Sequence, residues 1–542
     1  MLGIIVIIVF VIIITVTVHS NIAHDRELKE RLKTSFGKMP EPREIDYESI
    51  ECYTKYTDKN ARDVDKITWN DLDMNKIYER LNTCQSSVGD EYFYDVLKRP
   101  QSSLDKLLKR EELIEFFDKN TDTRLNVQFA LAKIGKKDYN GVAGLIFRSD
   151  FDLLKYNIIY NIFALLPLVS LAVLFFHINA GVIALILTFL INMFIHIKSQ
   201  KHIDMNLTAI NYFSRIIRCC EKFVKIEDFK ELPCIVRLSV LNNYFKKAAN
   251  KAPSAQSGMG ASLVDVFWMY ISITFLIEVR GYNNFMKCVK KKQDYVHEVY
   301  VTIGEIEASL SILSSRKSFP SFCIPKFCAE NIIKCQDIYH PLIDNAITNS
   351  HTFDNDMLLT GSNASGKSTF IKTLAINGIL AQTINTCTAS SFTARFFVII
   401  TSMAIRDNIY EGESYFTAEL KSIKRILDIT KKHYTVCFID EILRGTNTEE
   451  RIIASQVILR HLHTRDSLCL AATHDIELTQ ILENEYNNFH FCEQVTDKDI
   501  SFDYKLKPGP SKTKNAIKLL DVMGFDREII DEAQALGRNH ER

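Results

Sequence analysis

No surplus of charge of either sign marks this chain: Lys plus Arg and Asp plus Glu stand at 66 each in 542 residues. Dedicated polyanion binders usually carry a basic excess, so this balance supplies no nucleic-acid signature and leaves room only for a local basic patch. The 13 cysteines contain no C-x-x-C pair and no set at zinc-finger spacing. That argues against a structural zinc site and fits a reduced, cytosolic setting. Cys323, Cys328 and Cys335 come nearest to a three-ligand cluster. No fourth ligand stands at a recognised distance from them, so they read as buried free thiols and no structural metal is expected. The length allows two to four domains, each with its own core.

Apart from threonine, polar residues are missing from Leu2 to Val18. As a helix this run extends about 26 Å, close to the hydrocarbon thickness of about 30 Å. No Lys or Arg precedes it and no small-x-small cleavage site follows, which favours an uncleaved anchor at residues 1–20 over a signal peptide. A second apolar stretch runs from Ile158 to Ile197, broken by the short polar tip His177, Ile178, Asn179 and Gly181. Ala164 to Phe176 lacks the polar face that a soluble helix shows at a period of 3.6, so residues 156–198 read as a transmembrane hairpin. Arg26, Lys29, Arg31 and Lys33 follow the first segment; Arg148 and Lys155 precede the hairpin, and Lys198 and Lys201 follow it. By the positive-inside rule the expected protein is multi-pass in the cell membrane, with the N-terminus and hairpin tip outside and residues 19–154 and 198–542 in the cytoplasm. Leu263 to Ile277 is also apolar, but Asp265 interrupts it and Glu278 and Arg280 follow, so a buried helix is expected there.

The segment MLLTGSNASGKSTF places a short apolar run before Gly361, Ser362, Asn363, Ala364, Ser365, Gly366, Lys367 and Ser368, with Thr369 next. This is G-x-x-x-x-G-K-[ST] in a strand, loop and helix context. Two glycines let backbone N–H groups wrap phosphates at a helix N-terminus, with Asn363 adding a side-chain amide to the γ-phosphate. Lys367 reaches the β and γ phosphates and the Ser368 hydroxyl ligates Mg²⁺. ATP and Mg²⁺ are the expected cofactors. Downstream, TVCFI at 435–439 reads as a buried parallel strand ending in Asp440 and Glu441. Asp440 is expected to hold the magnesium, and Glu441 to orient and polarise the attacking water. A third apolar strand, Leu468 to Ala472, ends at Thr473-His474-Asp475, bringing His474 to the same sheet edge as a γ-phosphate sensor.

Taken in order, TGSNASGKSTFIK, GESYFTAEL at 412–420, IDEILRGTNTEER at 439–451 and AATHDIEL at 471–478 resemble the ATPase domain of the MutS family. The resemblance implies an α/β P-loop NTPase domain of the ABC type at residues 326–542, including a helical tail suggested by KTKNAIKLLDVMGFDREIIDEA at 512–533. It also implies a homodimer with composite sites. Ser414, Phe416 and Glu419 would then form a signature loop reaching the partner's γ-phosphate, and Arg444, Gly445 and Thr446 would line the interface.

Residues 81–117 are similar to the start of the helical core in that family, which implies a mainly α-helical core at 21–155 and 199–325 with the membrane hairpin inserted in it. The stretch before Leu81 is too short for the mismatch-reading and connector domains, and it contains no Phe-x-Glu. The expected activity is ATP hydrolysis to ADP and phosphate in a membrane-anchored MutS-like protein, DNA-binding and repair-related if the resemblance extends that far. A membrane-embedded ATP-driven transducer without a nucleic-acid substrate is the alternative, favoured by the neutral charge.

Overall fold

A computed structural model of the chain describes residues 2–136, 143–144, 157–249, 263–362, 365–403, 415–495, 500–511 and 524–539. Arg148, Lys155, Asn363, Ala364, Ser414 and most of the expected tail at 512–533 lie outside the described residues. The side chains of residues 2–14 and 17, the bulk of the expected anchor, do too.

Met1–Asp58, Asn82–Asp95 and Glu112–Ser314 make up one of two units. Among the helices lying in or entering it are α1 (Leu2–Ser35), α2 (Ser87–Lys98), α3 (Asp105–Lys119), α4 (Asn157–Phe176), α5 (Ile178–Phe223), α6 (Pro233–Ala249), α7 (Leu263–Thr274), α8 (Ile277–Lys291) and α9 (Gln293–Ser318). Aromatic edges fill its core: Phe213 meets Phe245 and Phe285, and Phe223 meets Phe229. α4 and the first half of α5 form the hairpin, turning at His177. Among the described residues, Ile158–Phe176 and Ile178–Gln200 are long and apolar enough to cross a bilayer, and only 17% of each is buried.

The stretch expected to form one buried helix from Leu263 to Ile277 is different in the structure. Leu276 adopts φ 48° and breaks it between α7 and α8. Phe267, Met269 and Tyr270 remain exposed on α7, whose main packing among the described residues is against α5 and α8.

The second unit comprises Lys59–Leu81, Val96–Glu111 and Ser315–Arg542. One four-stranded sheet contains β1 (Lys326–Phe327), β2 (Ile333–Ile338), β3 (Asn349–Phe353) and β5 (Ser391–Ala394), in the order β1-β5-β2-β3. The larger sheet contains β4 (Met357–Thr360), β6 (Val398–Ser402), β7 (Thr435–Asp440), β8 (Ser467–Ala472), β9 (Asn487–His490) and β12 (Lys507–Pro508). Its order is β12-β9-β4-β8-β7-β6, parallel except for β12. β10 (Glu493–Val495) and β11 (Ile500–Phe502) pair separately. Helices α10 (Lys367–Ile384), α11 (Tyr415–Ile429), α12 (Thr448–His463) and α13 (Arg527–Asn539) complete the labelled elements.

Continuous apolar runs such as MLLT and TVCFI are what a parallel strand covered on both faces requires, and both are buried along those residues. On one face Leu358, Ile400, Ile439 and Cys469 pack with Ile423 and Ile426 of α11 and Leu459 and Leu462 of α12.

Two segments expected in the helical core belong instead to this unit. Thr68 Oγ1 accepts the N–H of Thr401 (3.2 Å), and Asp71 accepts from the Thr401 hydroxyl (2.6 Å) and the Met403 N–H (3.0 Å), so residues 59–81 cover the free edge of β6. Residues 96–111 tie to the C-terminal end of α10 through Gln101 N–H to Gln382 O (2.8 Å) and Arg110 to Thr383 O. Among the three neighbouring cysteines, Cys335 is buried while Cys323 and Cys328 are half-exposed.

Candidate nucleotide site

Ala472, the last residue of β8, pairs with Leu359 of β4 on one side and with Asp440 of β7 on the other. The three loops expected to carry chemistry therefore leave the sheet side by side. Against this edge lies a cavity of about 480 Å³, lined by Ser362, Ser365 to Phe370, Glu441 and Arg444 together with His340, Ile343, Asn349 and Tyr504.

After β4 the chain turns through Gly361 at φ 142° and Gly366 at φ 104°. A Cβ at Gly361 would stand 2.6 Å from the Phe491 carbonyl oxygen, and one at Gly366 2.9 Å from the Tyr504 ring. Both the backbone angle and the space admit glycine alone. Gly366 caps α10, whose first-turn N–H groups face the loop. Lys367 is buried and its Nζ donates to the carbonyls of Gly361 (2.7 Å) and Ser362 (2.8 Å), so the ammonium lies along the loop. Ser368 and Thr369 are exposed to the cavity, and the Ser365 hydroxyl is buried with no hydrogen-bond partner.

Asp440 ends β7 with one carboxylate oxygen, Oδ1, buried and unpartnered. An orphaned carboxylate oxygen and a hydroxyl beside the glycine loop are hard oxygen donors, the set a magnesium ion takes. The residues present therefore fit Mg²⁺ at Ser368 and Asp440.

Glu441 sits in the left-handed region (φ 62°), its N–H bonded to Ala472 O at 2.9 Å. One of its oxygens lies 2.9 Å from His474 Nε2 and the other meets Arg444 Nε. Burial alone would raise its pKa, but these two neighbours outweigh it and hold the carboxyl down at about 2. Behind His474, Asp475 is held by a two-pronged pair from Arg451 (2.9 and 2.6 Å).

Of the expected signature residues, Phe416 and Glu419 lie elsewhere than at the cavity wall. Glu419 on α11 is buried and accepts the N–H groups of Arg444 (3.0 Å) and Gly445 (3.4 Å) in the same chain. Phe416 covers Gly445, where an added Cβ would come within 3.1 Å of it. Both residues thus brace the turn that carries Glu441, while Thr446 bonds Glu450 (2.9 Å) in the first turn of α12.

His340, Asn349 and Tyr504 were not among the expected site residues. Burial, followed by the charge of Lys372, pushes His340 down to about 4, so a neutral imidazole faces the cavity at physiological pH. Tyr504 is placed by Asn349, whose side-chain amide donates to the Tyr504 carbonyl (3.0 Å).

A glycine loop at a helix N-terminus, an acid pair and a histidine on adjacent ends of a parallel sheet define a P-loop nucleotide-binding domain. Residues 357–540 match the MutS domain V family. Three similar proteins are each named DNA mismatch repair protein MutS. That of Lactobacillus helveticus is 30% identical over 234 residues, covering 40% of this chain and 27% of its own length. In Lactobacillus delbrueckii subsp. bulgaricus the figures are 29% over 229 residues, 40% and 27%, and in Streptococcus sanguinis 27% over 271 residues, 47% and 32%. The chain thus spans about a third or less of the length of these relatives. Over residues 357–540 the chain is thus similar to domain V of the MutS family.

Proposed function

We propose that this chain is a membrane-anchored MutS-family ATPase that hydrolyses Mg²⁺-ATP to ADP and phosphate and closes as a homodimer when ATP binds. The observation that carries the reading is the shared pairing of Leu359 and Asp440 with Ala472, which brings the phosphate loop, the acid pair and His474 to one sheet edge, where Ser365 to Phe370 and Glu441 line the cavity and His474 meets Glu441 at 2.9 Å.

In this reading the α10 N-terminus and Lys367 hold the β and γ phosphates, and Ser368 and Asp440 hold the metal, which when bound neutralises charge on the phosphate oxygens. Glu441 is ionised at any physiological pH and too weak a base to keep a proton, so its part is to orient water through an oxygen released by Arg444 or His474. Phe416 and Glu419 brace that turn within the chain; Ser414, with them, forms the loop that meets the partner's nucleotide. Glycine loop and signature loop then belong to different copies, and ATP bridges them.

DNA is the proposed macromolecular partner, on the strength of the name the relatives share. The barely buried apolar pair Ile158–Phe176 and Ile178–Gln200 supports a location in the cell membrane with the nucleotide site on the cytoplasmic side. The test is ATPase activity of the full chain purified in detergent, with and without DNA. Lys367→Ala is expected to abolish turnover; unchanged turnover in that variant would sink the proposal, and a rate indifferent to DNA would remove DNA from it.

A further inference from the structure

We propose that α7 is a third lipid-embedded helix, entering the same hydrocarbon layer as the α4–α5 hairpin; this rests on the membrane reading above and extends it. Twelve residues are too few to cross a bilayer, and an apolar helix of that length belongs either in a protein core or partway into a membrane. The exposed face decides between these. Phe267, Met269 and Tyr270 are 66%, 49% and 51% exposed, and α7 packs on α5, so this face continues the bare apolar surface of the hairpin.

Asn192 supplies the second observation. It is wholly buried in the apolar part of α5, and its amide donates to Phe163 O of α4 (3.0 Å) and Thr274 O of α7 (2.7 Å). Thr274 ends α7, where a carbonyl has no partner within the helix and in hydrocarbon must find one. One side chain thus fastens all three helices at one depth.

That depth follows from the geometry of α5. Asn192 lies about 21 Å along the helix from the tip at Ile178, some two-thirds of the way through a layer of about 30 Å. Tyr270 meets Phe189 (6.3 Å) just as Thr274 meets Asn192, so α7 runs in the same direction as α5 and reaches about 16 Å from that level toward the tip. The charges that follow α7 fall at the opposite end. Arg280 donates to Asn161 (2.8 Å), near the start of α4, and Glu278 faces His196 near the end of the apolar part of α5. A lipid layer around the hairpin therefore takes in α7 from Val266 onward, with Asp265 about 7 Å from the level of the tip and so toward the outer boundary, and leaves the first turn of α8 at the other polar boundary.

The test uses the full chain in vesicles of brominated and unbrominated phosphatidylcholine. Two tryptophan reporters, Phe267→Trp on α7 and Ile186→Trp on α5, are each made in a Trp268→Phe background. Trp69, buried in the other unit, provides the constant baseline. Brominated lipid is expected to quench both reporters to a similar extent, with acrylamide quenching neither. Quenching at 186 with none at 267 would overturn the proposal while leaving the membrane hairpin standing: acrylamide quenching would then place α7 in water, and protection from both quenchers would place it under protein. Absence of lipid quenching at both positions would remove the membrane reading, and the proposal with it.

Discussion

Replacing Arg316 by methionine should cost the nucleotide-binding unit several kcal/mol, and most of that loss should vanish when Glu111 is replaced as well. Arg316 and Glu111 form a two-pronged pair (2.6 and 2.8 Å) with side chains only 4% and 11% exposed. The guanidinium also donates to Thr386 Oγ1 (2.9 Å) and Asn385 O (3.0 Å), and the Asn385 amide donates to Glu111 (3.0 Å). Methionine leaves the carboxylate buried with one neutral donor, a situation that typically costs about 3–5 kcal/mol. In the double variant Glu111→Leu with Arg316→Met no buried charge remains, and the net cost should drop to about 1 kcal/mol, the stranded Asn385 groups accounting for it. The assay is urea unfolding followed through the buried Trp69 in the Trp268→Phe background, analysed as a double-mutant cycle. A double variant no more stable than Arg316→Met alone would refute the reasoning, since the damage would then lie in lost packing.

Glu441→Gln should keep ATP binding, slow turnover by about a hundredfold or more, and accumulate an ATP-bound dimer on sizing; a monomer under those conditions would contradict composite sites. Glu307 on α9 is buried against the N–H groups of Gln85 (2.8 Å) and Ser86 (3.1 Å), and burial raises it to about 7 despite them. The folded state holds this proton more tightly than the unfolded one. The contribution of this carboxyl to stability should therefore be greatest below about pH 4.5 and fall as pH rises to 7, by roughly 3 kcal/mol. Glu307→Gln should flatten that fall in thermal melts between pH 5 and 8; an unchanged slope would mean that the carboxyl is not the titrating group.

The phosphate loop, Asp440 and His474 were legible because each sits at the end of an unbroken apolar strand, and parallel strands with helical crossovers must present those ends on one edge. Glu419 shows where that legibility stops. Its bonds to Arg444 and Gly445 join residues 25 and 26 positions apart on elements whose packing no local pattern describes. Tyr504 and Asn349 reach the cavity through one backbone carbonyl 155 residues away, with no spacing rule to announce it. Residues 59–81 read as helical core only through the resemblance of the adjoining residues 81–117; Thr68 and Asp71, which bind them to β6, carry no mark of that pairing. In α7 the apolar composition was read correctly and its covering was not, since Asp265 and the following charges suggested a protein interior.

Both ends of α10 are held by groups that matter to the same reaction. Its N-terminus forms the phosphate loop, and its last carbonyls are tied off by Gln101, Arg110 and Arg316. Asn385, in the left-handed conformation past the final turn, gives up its own carbonyl to Arg316 and its amide to Glu111. An 18-residue helix is a rod of about 27 Å that barely compresses, so a shift of the loop around triphosphate must appear at the other end as a displacement of the Arg316–Glu111 pair. A buried pair with five close contacts tolerates little displacement before bonds break. It therefore either holds the loop in place or moves with it as a block, and ATP affinity separates the two. If the pair restrains the loop, the doubly apolar variant should change affinity even where its stability is preserved; if the block moves whole, affinity should stay as it was.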